Sequence, residues 1–186
     1  SMRIVVGMSG ATGSIYGIRL LEELKKQGVE THLVVSSWAE ETIITETDYA
    51  LDDVLGLADV VYQRNDLGAT VSSGSFKHDG MVVVPCSMKT VAAISSGYSD
   101  NLLSRAADVT IKEKRKLILV TRESPLSAIH LRNMLSLADQ GVVIMPPMPA
   151  FYARPQSIEE LVNQTVGRIL DQFGLDNNLV KRWQGD

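Results

Sequence analysis

The sequence predicts a doubly wound α/β domain built on a parallel sheet. Two observations carry this. Apolar runs such as "RIVVGM" (3–8), "GMVVVPC" (80–86) and "KLILVT" (116–121) are continuous rather than alternating, as in strands buried on both faces. Amphipathic stretches long enough for helices lie between them, and alternating β and α segments favour parallel crossovers. The chain has 186 residues, enough for one hydrophobic core, so residues 2–186 read as a single domain.

Each element has its own signal. After "RIVVGM", the stretch 14–28 is a helix with Ile15, Ile18, Leu21 and Leu24 on one face and Gly28 as its stop. "ETHLVVS" (30–36) is the next strand, 38–46 a helix, and "VVY" (60–62) a short strand. Residues 62–80 form the longest irregular region and a candidate functional loop. Pro85 ends the strand "GMVVVPC", and helices follow near 88–96 and at 100–112. After "KLILVT" come a helix at 127–141, the strand "VVIMP" (142–146) and a last helix at 157–174. Ser157 and Glu160 make a capping box for that helix. Its apolar face reads Ile158, Leu161, Val162, Thr165, Val166, Ile169, Leu170 and Phe173.

Composition narrows the function. A net charge of −4 argues against nucleic acid, whose binders present a basic surface. No apolar run approaches the ~20 residues of a membrane span. Ser1 ahead of Met2 reads as a cloning remnant, and Arg3 leads straight into a strand without a signal peptide. A lone cysteine, Cys86, allows neither an intramolecular disulfide nor a Cys-based zinc site. The expected location is the cytoplasm.

Ligands of doubly wound sheets bind where the strands end, so the chemistry is sought there. The first end, "GMSGATGS" (7–14), has the spacing G-x-x-G-x-x-G rather than the dinucleotide G-x-G-x-x-G. Two readings stay open. Ser9, Thr12, Ser14 and backbone N–H groups cradle an anion at a helix N-terminus, or this is a tight turn with Ser or Thr capping the helix. No acidic residue follows the second strand, which ends in Ser36-Ser37, so a mononucleotide fits better than a dinucleotide. In "PCSMKT" (85–90), Ser87 and Thr90 place hydroxyls at a helix start. Cys86 has no His beside it in sequence and reads as buried and inert. Arg122-Glu123 leaves a buried strand next to Pro125, as an exposed ion pair or something more specific. "MPPMPAFYARPQS" (145–157) is a rigid apolar wall or a connector, and "IKEKRK" (111–116) a solvated face.

Taken together, "SGATGSIYGIRLL" (9–21), "TETD" (45–48), "PCSMKT", "RAADVTIKEKRKLILVTRESPLSAIHLRNMLSL" (105–137) and "PAFYARPQSIEELV" (149–162) resemble the flavin prenyltransferase family. The likeness spans Arg3 to Trp183. It implies a flavodoxin-like, Rossmann-like sheet and a homododecamer assembled from trimers. It also implies that reduced FMN is a substrate, alkylated at N5 and C6 with a dimethylallyl group from dimethylallyl phosphate. The product, prenylated FMN, serves a separate decarboxylase. Carried over by motif, Gly10, Ala11 and Thr12 line the flavin, with the Thr12 hydroxyl near N5. Ser36, Ser87, Met88, Lys89, Thr90 and Arg122 complete the FMN set. Glu46, Arg105, Lys112, Glu123, Tyr152 and Arg168 surround the prenyl phosphate. Thr12, Glu46, Lys112 and Glu123 are the expected catalytic residues, and no metal is expected. Leu67 departs from relatives that carry Trp at that place.

The chemistry suits these residue types. Breaking an allylic C–O bond puts negative charge on the phosphate, which Arg105, Lys112 and Arg168 stabilise. Tyr152 offers a π-face to an allylic cation. Ring closure releases a proton, to Glu123 or to the freed phosphate. Arg168 falls on the polar side of the last helix, so its role needs a fold or subunit contact that turns it inward. Three rivals share the fold: a flavin-dependent cysteine decarboxylase, a direct decarboxylase of aromatic acids, and a non-catalytic FMN carrier or electron-transfer module. The first needs a catalytic His, and His78 in "KHDG" lacks that setting.

Overall fold

The computed structural model describes residues 1–180. Six parallel strands form one sheet: β1 (Arg3–Met8), β2 (Glu30–Val35), β3 (Val60–Tyr62), β4 (Gly80–Cys86), β5 (Leu117–Thr121) and β6 (Val143–Ile144), in the order β3-β2-β1-β4-β5-β6. Without the three-residue edge strand β3, the order is that of flavodoxin. The helices are α1 (Ser14–Lys26), α2 (Ser37–Glu46), α3 (Leu51–Leu55), α4 (Met88–Ser96), α5 (Leu102–Lys112), α6 (Ala128–Asp139) and α7 (Ile158–Gln172). The chain resolves into two compact units, Ser1–Pro146, which holds the whole sheet, and Pro147–Asp186, which holds α7.

The continuous apolar runs are buried throughout, as their composition requires: every residue of β4 and β5 is covered. Val5, Met81, Val83, Leu117 and Leu119 face a core shared with α4, α5 and α6. Side chains alternate along a strand, so Ile4, Val6 and Met8, also fully buried, serve the other face, where α1 packs. No helix of the described residues is long and apolar enough to cross a membrane.

The structure corrects several local expectations. Pro85 does not end β4; the strand runs on to Cys86 with a register shift between Val83 and Cys86. Pro85 has no N–H to give the ladder, and the strand takes up one extra residue as a bulge. The 142–146 strand shrinks to Val143–Ile144, since the prolines that follow cannot donate. The five-residue α3 escaped the periodicity reading because one turn of helix has too few positions to show a period. Ile158 is 78% exposed, not on the apolar face, which begins with Val162. The Ser157 hydroxyl does accept from the Glu160 N–H, at 3.1 Å, but the Glu160 carboxylate takes the Gln156 N–H instead of closing the box. A full capping box forms on α6, where the His130 ring nitrogen accepts from the Ser127 N–H. Trp183 lies outside the described residues.

Candidate active site

The carboxyl ends of β1, β2 and β4 open onto a cavity of about 750 Å³ within the first unit. This lies in the range of small-ligand and cofactor sites. Gly10, Ser36, Ser87, Lys89 and Thr90 line it, so five of the expected flavin positions meet in one place. Two helices begin there. Ser36 caps α2 by accepting the Ala39 N–H at 3.1 Å. Ser87 caps α4 by accepting the Thr90 N–H at 3.2 Å and donating to the Thr90 hydroxyl at 3.0 Å. Both N-termini, with the Lys89 ammonium beside them, favour an anionic group in the cavity. Met88 is buried in the core shared by α4, α5 and α6 rather than lining the cavity. Gly10 is a spacing requirement: a Cβ there would fall 2.2 Å from the Trp38 Cβ.

The N-terminus of α1 is different, and the reading of a Ser or Thr cap in the Gly-rich turn does not hold. No Ser or Thr side chain caps the helix; Gly13 holds the cap position with φ of 105°, which favours glycine. The anion there is the chain's own Glu46, at the end of α2. Its Oε1 accepts from the Gly13 N–H at 2.9 Å and the Ser14 N–H at 3.3 Å. Ser14 is fully buried and hydrogen-bonded to the Thr42 hydroxyl at 2.7 Å. Ser9 is bonded into the sheet end. Of the three hydroxyls in the turn, only Thr12 is exposed, and it hydrogen-bonds to Glu46. Burial pushes the Glu46 carboxyl up, but the hydrogen bonds from Thr12, Gly13 and Ser14 and the nearby Arg122 charge outweigh it and hold the group below its ordinary value.

This depressed value sets a pH dependence. A carboxylate favoured in the folded state contributes stability above its unfolded pKa and loses it as pH falls through the folded value. Glu46→Gln is therefore expected to lower the melting temperature at pH 7 and to have a much smaller effect at pH 3, as read by thermal unfolding at the two pH values. An equal effect at both would contradict the charged cap.

Arg122 lies within electrostatic reach of Glu46, beside Thr12. Arg122 and Glu123 follow β5, each 39% exposed in its side chain, with Nη1 4.0 Å from Oε1. Glu123 Oε1 accepts from the Ser124 N–H at 3.0 Å. Arg105, in the first turn of α5 next to the cavity-lining Ser104, has a buried Nε with no hydrogen-bond partner among the described residues.

Lys112 is not brought to this edge. It ends α5, roughly 10 Å along the helix from Arg105 at 1.5 Å per residue. The turn that follows sits where the strands begin: the Met81 N–H donates to the Lys116 carbonyl, and an Arg115 Nη2 donates to the Gly74 carbonyl. Tyr152 and Arg168 belong to the second unit. Both are exposed, and Arg168 Nε is 3.8 Å from Asp171 Oδ2.

Several cavity-lining residues were missed by sequence reading: Trp38, Arg64, Asn65, Tyr98 and Asn101. Asn101 had a signal, since it caps α5 by accepting the Ser104 N–H at 2.9 Å. The remaining nucleophile and base candidates are structural. Burial pushes the Cys86 thiol up, and the sulfur is fully covered. Burial and the neighbouring Arg115 push His78 down to about 4, so it is neutral at pH 7, and it sits beside Gly80 where β4 starts. It cannot serve as the catalytic base of a cysteine decarboxylase at the opposite edge.

Residues 1–170 match the Flavoprotein family. A probable UbiX-like flavin prenyltransferase from Bacillus subtilis is 58% identical over 184 residues, 99% of this chain and 90% of the relative. The chain belongs to the flavoprotein family, among the UbiX-like flavin prenyltransferases. The solved structure of AnUbiX (PadA1) in complex with FMN and dimethylallyl pyrophosphate superposes with a TM-score of 0.97 at 59% identity, covering 99% of this chain and 98% of that one. A dodecameric FMN-dependent UbiX-like decarboxylase from Escherichia coli O157:H7 gives 0.97 at 55% identity, covering 99% of this chain and all of the other. Membership of this family favours prenyl transfer over the decarboxylase and carrier readings.

Proposed function

We propose that this chain is a cytoplasmic enzyme that joins a dimethylallyl group from dimethylallyl phosphate to N5 and C6 of reduced FMN, making prenylated FMN for a separate decarboxylase. The observation that carries this is the convergence of Gly10, Ser36, Ser87, Lys89 and Thr90 on one cavity, next to the Thr12–Glu46–Arg122 cluster. The cavity volume, the two helix N-termini and the Lys89 ammonium fit a mononucleotide with an anionic tail.

The flavin supplies a nucleophilic nitrogen and an aromatic carbon to be alkylated. The protein supplies position and charge. Thr12, its hydroxyl beside the Glu46 carboxylate, meets the flavin at N5. Arg105, Lys112 and Arg168 hold and neutralise the departing phosphate, the released phosphate or Glu123 takes the ring-closing proton, and Tyr152 shelters developing cationic charge.

Within one chain α5 carries Lys112 to the edge of the sheet away from the cavity, so the Lys112 of a site comes from a second copy. A surface for such a copy exists on α6, where Ala128, Leu131, Leu135 and Ala138 form an outward apolar stripe at 3-4-3 spacing. Leu131 and Leu135 are 51% and 61% exposed. We expect light scattering to show a homo-oligomer larger than a dimer, consistent with trimers assembled to a dodecamer, and Leu135→Glu to yield a smaller species. A monomeric wild-type protein at working concentration would contradict this.

The functional test uses the product. The protein is incubated with reduced FMN and dimethylallyl phosphate and removed by filtration, and the filtrate is added to an apo-decarboxylase that requires prenylated FMN. Activation is expected, and none without the prenyl donor. Turnover of a cinnamic acid by this chain alone would overturn the reading in favour of a direct decarboxylase.

A further inference from the structure

Past the Gly7–Val83 pair, the β1–β4 ladder gives out, because β4 bulges at Pro85. Ser9 takes over where the ladder stops. Its N–H and its hydroxyl both donate to the Pro85 carbonyl, at 3.2 and 2.9 Å. Its hydroxyl oxygen accepts from the Ser87 N–H at 2.8 Å. Ser9 is 2% exposed, although it forms part of the cavity wall. One hydroxyl thus ties the turn that carries Gly10 and Thr12 to the residue that caps α4.

We propose that Ser9 is a positioning residue for the flavin, fixing the spacing between the Gly10–Thr12 turn and the Ser87–Thr90 cap. The proposal rests on the flavin reading above. Its hydroxyl proton is spent on Pro85 and an oxygen lone pair on Ser87, so its action on a ligand runs through those two segments. Alanine at this position leaves the Ser87 N–H and part of the Pro85 carbonyl capacity unmet in a buried place, and the two halves of the cavity wall are released from each other. Among the described residues the side chain has no other hydrogen-bond partner to compensate.

The experiment compares wild type, Ser9→Ala, Ser9→Cys and Ile118→Val, the last a core change in β5 remote from the cavity wall. FMN affinity is read by flavin fluorescence quenching, stability by thermal unfolding, and exchange of the peptide 86–91 by deuterium uptake without flavin. Ser9→Ala is expected to weaken FMN binding by about tenfold or more, the scale of an orphaned buried donor, and to speed exchange in 86–91. Ile118→Val, at a comparable loss of melting temperature, is expected to do neither. Ser9→Cys, with a weaker donor and acceptor, is expected to fall between and carries the same readouts if the alanine variant does not fold. Wild-type-like affinity in Ser9→Ala, unchanged exchange in 86–91, or an equal loss of affinity in Ile118→Val would each overturn the role. Failure of the wild type to bind FMN would instead overturn the flavin reading, while the exchange data would still decide whether Ser9 clamps the cap.

Discussion

Glu123→Gln is expected to leave FMN affinity within about twofold of wild type and to slow prenyl transfer by ~10²-fold or more, the usual scale of a positioned acid–base group. The two residues after β5 should part company in this test. The Glu123 side chain is 39% exposed and, among the described residues, is bonded only to the adjacent Ser124 N–H and, loosely, to Arg122, so its removal disturbs little of the resting fold. Arg122 lies within electrostatic reach of Glu46, which in turn holds the N-terminus of α1 and the Thr12 hydroxyl. Arg122→Ala is therefore expected to weaken FMN binding, as read by fluorescence titration. Stopped-flow absorbance of the flavin under reducing conditions separates binding from transfer. Full activity in Glu123→Gln would assign the ring-closing proton to the released phosphate alone.

Lys112→Ala is expected to reduce turnover by ~10²–10³-fold, the effect of deleting a group that stabilises charge developing in the transition state. The informative experiment is a mixture. If each site takes Glu123 from one copy and Lys112 from another, co-assembled Lys112→Ala and Glu123→Gln chains contain some sites with both native residues. Activity well above that of either parent is the expected result. Mixed assemblies as inactive as their parents would contradict a shared site and return Lys112 to the solvated face that "IKEKRK" first suggested. The position of Lys112, at the end of α5 where the strands begin, makes this test necessary.

Much of the fold was legible because burial on both faces leaves a simple mark. The unbroken apolar runs Leu117–Val120 and Met81–Val84 have few alternatives to a central strand. The cap at Ser87 was legible as well, since a hydroxyl just ahead of a helix acts within three residues, whereas the Ser36 cap went unread. What sequence could not show are the contacts between distant segments. Glu46 reaches Gly13 across 33 positions, and nothing near Gly13 announces that its anion is internal. Ser9 reaches Ser87 across 78 positions, so it read as a free hydroxyl when it is a clamp. Trp38 packs on Gly10 only because β1 and β2 are neighbours in the sheet. Lys112 shows the converse: motif likeness sets it with the phosphate, while helix geometry sets it at the far edge of its own chain, and only a second copy reconciles the two.

The central claim is that the flavin leaves this protein chemically changed. The direct measurement is the mass of the flavin after anaerobic incubation of wild-type protein with reduced FMN and dimethylallyl phosphate, followed by denaturation and rapid analysis. The expected product is a flavin heavier by one five-carbon prenyl unit, formed with release of phosphate, absent when the prenyl donor is withheld and strongly reduced in Lys112→Ala. Unmodified FMN recovered in full from wild-type protein that demonstrably binds both compounds would contradict it.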